Sequence, residues 1–200
     1  MVETEAVSAG AARTGTAPAR VVWHFGFQKT GTTYIQRTLM KSGHRLPGDL
    51  SFAMKGDATE DLRAAATAWL EGEGPEAAVT DAARAVIATA QGGTLIFSDE
   101  NVLGTDVEND AGTVIDKAVR LMPVIAAATA PAEPVFVFYT RDMDSWLASA
   151  HAQAVFTRRE ARTLEDWRAA LALTQDWTPH VERLAAAVEA PVVVRDMAED

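Results

Sequence analysis

The feature that most narrows what this chain can fold into is a rhythm of short apolar runs separated by helical stretches. "RVVWHFGF" (Arg20 to Phe27), "TLIFS" (Thr94 to Ser98), "PVFVFYT" (Pro134 to Thr140) and "PVVVR" (Pro191 to Arg195) are rich in β-branched and aromatic residues. None alternates polar with apolar residues, as a strand with one wet face does. Such runs read as strands buried on both faces, and strands that alternate with helices build a parallel sheet covered on both sides. The expectation is one α/β domain.

The intervening segments carry helical periodicity. Thr32 or Thr33 can cap a helix to about Ser42, with Ile35 and Leu39 facing inward and Gly43 at its stop. Leu62, Ala66, Trp69 and Leu70 share a face after a capping start at Asp57 and Glu60, and "GEGP" (72–75) ends that helix. Val79, Ala82, Ala83, Val86 and Ile87 mark the next stripe; Val114, Ala118, Leu121 and Ile125 mark another, expected to kink or split at Pro123. Asp142 opens a helix carrying Trp146, Leu147 and Ala150. Thr163 to Asp166 fits a capping box ahead of Trp167 and Leu171, and Thr178-Pro179 starts a last helix with Val181, Leu184 and Val188 inward. In an open α/β sheet the ligand site lies at the carboxyl ends of the strands. "GFQKTGTT", "SDEN", "TRDMDS" and "RDMAED" therefore converge on it.

Residues 1–19 read as a flexible tail rich in Ala, Gly, Ser and Thr, and residues 20–200 as the domain. The tail has acids where a signal peptide wants bases, and no apolar run approaches 18 residues, so neither a leader nor a membrane span is expected. Cysteine is absent, which excludes disulfides and thiolate chemistry and agrees with a cytoplasmic location. No His/Asp/Glu set has metal-ligand spacing. The net charge of −10 argues against a nucleic-acid partner. Its distribution says more. Between Glu5 and Asp49 there is no acid, while Arg13, Arg20, Lys29, Arg37, Lys41 and Arg45 give that span +6, so the rest of the −10 chain carries −16. A cationic segment in an acidic protein points to a local anion site.

That segment centres on "HFGFQKTGTTYIQ" (His24 to Gln36). A strand, a glycine-bearing turn and a helix start aim backbone N–H groups and a helix dipole at one point, the usual construction of a phosphate cradle. The nucleoside-triphosphate version reads G-x-x-x-x-G-K-[ST]. Here Gly26 and Gly31 are five apart, but Thr32 stands in the lysine position and Lys29 lies inside the loop. From the loop rim, a lysine reaches an oxygen bridging two groups, where charge develops as a bond breaks.

"FQKTGTTYIQ" resembles the 5′-phosphosulfate loop, commonly P-K-[ST]-G-T-T, of the sulfotransferases that use 3′-phosphoadenylyl sulfate (PAPS). The match is Lys29-Thr30-Gly31-Thr32-Thr33; Gln28 stands where many members have proline and Tyr34 where cytosolic members often have tryptophan. "FYTRDMDSWLASAHAQ" resembles the family's 3′-phosphate segment, an arginine after the third core strand followed eight residues later by a serine. Arg141 and Ser149 have that spacing. The competing role for Arg141 is pairing with Asp142 or Asp144. "VVVRDMAED" is a weaker match to an acidic turn after the fourth strand.

The resemblance implies a P-loop-type fold, PAPS as co-substrate, no metal, and sulfuryl transfer to a hydroxyl or amine acceptor, with small molecules and carbohydrates as candidates. It implies donor contacts from Gln28, Lys29, Thr30, Gly31, Thr32, Thr33, Tyr34, Arg141 and Ser149. It further implies that Lys29 stabilises the leaving oxygen and that a base follows the second core strand. That base is histidine in many cytosolic members and glutamate in many carbohydrate-directed ones. Here "LIFSDENVLG" offers Asp99 and Glu100, and Glu100 is preferred for its longer arm, with Asp99 capping the next turn. The family pattern continues past the fourth strand with a segment that covers the adenine, and this sequence stops at Asp200, so a domain without that segment is expected. Two other functions fit the loop: a P-loop kinase or NTPase with Asp99 holding magnesium, and a non-catalytic nucleotide-binding module.

Overall fold

The computed structural model describes residues 17–46, 48–54, 57–104, 111–170 and 177–197. Among these, twelve elements alternate: β1 (Arg20–His24), α1 (Thr32–Ser42), β2 (Leu50–Met54), α2 (Asp57–Leu70), α3 (Glu76–Ala88), β3 (Thr94–Ser98), α4 (Ala111–Thr129), β4 (Glu133–Thr140), α5 (Met143–Arg158), α6 (Leu164–Ala170), α7 (Thr178–Ala186) and β5 (Val192–Asp196). The five strands form one sheet in the order β2-β3-β1-β4-β5, every pair parallel. The chain thus winds to one side of β1 through β2 and β3, then to the other through β4 and β5. β1 is the switch point, and its carboxyl end opens a crevice between those of β3 and β4.

One sheet face is sealed. Val21, Trp23, Leu95, Phe97, Phe136 and Phe138 are all fully buried, and the register sets Trp23 beside Phe97 and Phe136. The Trp23 indole N–H donates to Thr129 Oγ1 at 3.0 Å, which ties β1 to α4 and satisfies a polar atom that burial would otherwise leave costly. The other face of β1 holds His24, which meets Ser98 and, through it, α1.

The structure corrects several expectations. β1 stops at His24 rather than Phe27, because Gly26 at φ +56° turns the chain out of the sheet. A fifth strand, "LSFAM", lies at the sheet edge, where a short run with a polar residue suffices. α4 is a single helix through Pro123, whose ring lies on the solvent side. In α1 the buried residues are Thr32 and Gln36, while Ile35 and Leu39 are only half-buried. The capping box before α6 forms as read: Asp166 N–H donates to Thr163 Oγ1 at 3.2 Å, and that hydroxyl donates to Asp166 Oδ2 at 2.8 Å. Leu171 and the last three residues of the acidic turn after β5 lie outside the described residues, as does most of the expected tail. Among the described residues no helix is long and apolar enough to cross a membrane.

Candidate functional site

The loop between β1 and α1 takes left-handed backbone at Gly26 (φ +56°), Lys29 (φ +67°) and Gly31 (φ +82°). Two of these are glycines for a steric reason. A Cβ on Gly26 would stand 2.7 Å from Thr32 Oγ1 and 3.2 Å from His24 Nε2, both buried. A Cβ on Gly31 would meet the Met197 methyl at 2.7 Å. Lys29 has no such exemption. It holds a conformation that costs an L-residue about 1–2 kcal/mol, so its surroundings must enforce it.

They do so by gripping carbonyls. Thr30 donates to Phe27 O twice, through its hydroxyl at 2.5 Å and its N–H at 3.3 Å. The Trp146 indole donates to Gln28 O at 2.8 Å, and Arg141 Nη1 to Lys29 O at 3.2 Å. In a trans peptide the C=O and the following N–H point in opposite directions. Holding Gln28 O therefore turns the Lys29 N–H away from Trp146. At the start of α1, the N–H groups of Tyr34 and Ile35 both bond Gly31 O, and no acid lies in the first turn. No backbone acceptor among the described residues takes the N–H of Lys29, Gly31, Thr32 or Thr33. Those donors and the helix dipole suit an anion.

A cavity of about 220 Å³ opens at this point. The loop and α1 contribute Gln28, Lys29, Gly31, Thr32 and Thr33; the turn after β3 contributes Glu100 and Asn101; α5 contributes Gln153. Among the described residues its lining holds one cation, Lys29, and one carboxylate, Glu100. Gln28 Nε2 donates to Asn101 Oδ1 at 3.3 Å and links the two loops. Asp99 is elsewhere: it is 1% exposed, and its Oδ1 accepts the Asn101 N–H at 3.0 Å, capping the 3₁₀ turn Glu100–Leu103.

The remaining sequence-read residues are distributed as follows. The Thr30 hydroxyl is turned into the loop's own backbone, and Tyr34 is 75% exposed on α1. Arg141 and Ser149 do not line this cavity. Ser149 is half-buried on α5, and Arg141 braces the loop from behind. Neither acid near Arg141 pairs with it: Asp142 accepts the Ser145 N–H at 2.8 Å, and Asp144 pairs with Arg168 at 2.7 Å. That backbone bond also holds the Asp142 carboxyl below its ordinary range, with a smaller contribution from the Arg141 charge. Asn101, Gln153 and Gln36 were not singled out in the sequence. Gln36 carried a signal, an amide one position from an apolar stripe.

Behind the cavity lies a buried polar chain. Gln36 Nε2 donates to Ser98 O at 3.0 Å, to Ser98 Oγ at 3.2 Å and to Glu100 Oε2 at 3.3 Å. Ser98 Oγ lies 2.9 Å from His24 Nδ1. Burial pushes the His24 imidazole down to about 4, against a smaller opposing pull from the Glu100 carboxylate. His24 is therefore neutral near pH 7. Among the described residues, no group of three or more His, Asp or Glu side chains is placed to hold a metal ion.

No protein-family model matches the chain, and no curated protein matches it. Among solved structures, it superposes on a sulfotransferase from Alicyclobacillus acidocaldarius with a TM-score of 0.51, covering 94% of this chain and 75% of that one at 14% identity. The chain has a sulfotransferase-type fold. In this sulfotransferase-type sheet the crevice beside β1 is where the lysine-bearing loop, the turn after β3 and Gln153 of α5 converge.

Proposed function

We propose that this chain is a sulfotransferase that moves a sulfuryl group from PAPS to a hydroxyl or amine acceptor. One observation carries the reading. Lys29 and Glu100 line a single cavity at the N-terminus of α1, within a sulfotransferase-type fold. The loop N–H groups, the helix dipole and the Thr33 hydroxyl bind the 5′-phosphosulfate. Glu100 takes the proton as the acceptor oxygen or nitrogen forms its bond to sulfur. The bond from sulfur to the phosphate oxygen breaks, its electron pair stays on that oxygen, and Lys29 stabilises the charge that develops there. Arg141 and Ser149 bind the donor's 3′-phosphate; an arginine whose neighbouring acids are engaged elsewhere supports that role. The cavity lining of carboxamides, hydroxyls and one carboxylate favours a polyhydroxylated acceptor such as a carbohydrate over an apolar phenol.

A kinase or NTPase reading needs Asp99 to reach a magnesium ion, yet that carboxylate is buried and caps Asn101. The test is transfer of labelled sulfate from PAPS across simple alcohols, phenols, amines and monosaccharides, with release of 3′,5′-bisphosphoadenosine measured in parallel. Labelled acceptor and bisphosphate in equal amounts are expected. Binding of the bisphosphate with no acceptor labelled would favour a binding module, and phosphoryl transfer from ATP would contradict the proposal.

A further inference from the structure

We infer that Gln36 is a positioning residue: its carboxamide, anchored on Ser98, sets where the Glu100 carboxylate stands in the cavity it shares with Lys29. The inference rests on the reading of Glu100 as the base and adds a residue that sits behind that base. Gln36 is 8% exposed on the inner side of α1, where an amphipathic helix normally places an apolar side chain. A buried amide is costly unless bonded, and among the described residues this one is bonded to the end of β3 and to Glu100.

The chemistry fixes its orientation. Two of the three oxygens it meets, Ser98 O and Glu100 Oε2, are acceptors with no proton to give while Glu100 is ionised. Only the NH₂ end of the carboxamide satisfies both, one hydrogen each. The Ser98 hydroxyl, 3.2 Å from the same nitrogen, is itself held at 2.9 Å from the neutral His24 ring. His24 on β1, Ser98 on β3 and Gln36 on α1 thus form a rigid support from three elements. Glu100 opens a 3₁₀ turn on a side chain with three rotatable bonds, and Gln36 holds its carboxylate from the α1 side. A base must sit within hydrogen-bond reach of the proton it takes, so its rotamer matters as much as its basicity.

Two variants test this. Gln36→Leu keeps the side chain's bulk and removes the donor. Gln36→Glu keeps its shape and sets a second carboxylate against Glu100, which raises the pH at which Glu100 becomes basic. Among the described residues, the ionisable groups near Glu100 include Lys29 of the loop, His24 of β1, Asp99 just before it and, across Asn101, Arg63 of α2 and Lys117 of α4; both substitutions leave all of them in place. For Gln36→Leu the expected result is a ~10- to 100-fold fall in kcat, a part of the ~10²–10⁴ that a general base supplies, with bisphosphate affinity within about twofold of wild type. For Gln36→Glu the acidic limb of the kcat–pH profile moves upward, which checks that position 36 stands against the base. In a Glu100→Gln background, Gln36→Leu costs nothing more, because the group it positions is already inert. If Glu100→Gln abolishes transfer while Gln36→Leu leaves kcat and Gln36→Glu leaves the pH profile unchanged, the inference fails and the base assignment stands. Loss of nucleotide affinity and thermal stability in step with kcat, in both Gln36 variants, also overturns it. Retained transfer in Glu100→Gln removes the base assignment itself, and this inference with it.

Discussion

Lys29 allows stability and function to be pulled apart at one position. Its φ of +67° costs an L-residue about 1–2 kcal/mol. Lys29→Gly removes that strain but adds roughly 0.4–1 kcal/mol of unfolded-chain entropy, so the fold should gain between about 0 and 1.5 kcal/mol. For a chain of this length that is a rise in Tm of up to roughly 5 °C. The Lys29 carbonyl, which Arg141 holds at 3.2 Å, is unaffected by the change. Lys29→Ala keeps the strain and should sit at or slightly below wild-type stability. Both variants should lose ~10²–10³ in transfer rate, the scale of one missing transition-state donor. Thermal unfolding and donor turnover, measured on the same preparations, decide the matter. A Gly variant destabilised by more than about 2 kcal/mol would mean that the lysine side chain supports the fold, not the reaction. Undiminished turnover in either variant would refute the reasoning outright.

Other expectations follow from the same geometry. Glu100→Gln should bind 3′,5′-bisphosphoadenosine about as well as wild type and lose most transfer; if it transfers normally while Asp99→Asn fails with its fold intact, the base is Asp99. Arg141→Ala should weaken the bisphosphate by roughly 10- to 150-fold, the worth of ~1.5–3 kcal/mol for a bond to a charged group, and weaken adenosine 5′-phosphate less, through the lost grip on Lys29 O alone; equal losses would remove the 3′-phosphate role. His24 falls from 6.5 to about 4 on folding, so the unfolded chain binds its proton first as pH drops. Its contribution, roughly 3 kcal/mol, is fully present above about pH 6.5 and is lost as pH falls towards 4. Denaturant melts at pH 7 and pH 4.5 should show this slope in wild type and a flatter one in His24→Gln; identical slopes would remove His24 as its source.

Much of the architecture was legible because burial on both faces leaves a compositional mark. The four apolar runs are all strands, although the last, β5, is a half-buried edge strand and not one covered on both faces, and the helical stripes at Leu62/Ala66, Val114/Ala118 and Trp146/Ala150 are buried. The edge strand Leu50–Met54 lacks that mark because a serine interrupts its short apolar run, whereas β5, at the opposite edge, keeps three consecutive valines. The inward face of α1 was misread by one position for a related reason: periodicity weighs apolar residues, and here the buried residues are Thr32 and Gln36. The loop was legible from its glycine spacing and its displaced lysine. What surrounds it was not. Gln153 reaches the cavity from the far end of α5, and Asn101 reaches it through a 3₁₀ turn whose boundaries no period marks. Contacts between distant segments are products of the sheet order, which a list of strands does not contain.

The most direct test of the account is ligand choice in the absence of metal. Thermal unfolding of the purified chain in EDTA, with 3′,5′-bisphosphoadenosine near 100 times its dissociation constant, should show stabilisation of ~2.7 kcal/mol, a Tm shift on the order of 5–10 °C. Adenosine 5′-phosphate, which lacks the second phosphate, should shift it less at the same concentration, and ATP with magnesium should give no advantage over the bisphosphate. A shift with ATP and magnesium alone, and none with the bisphosphate, would contradict the sulfuryl-transfer account at its root.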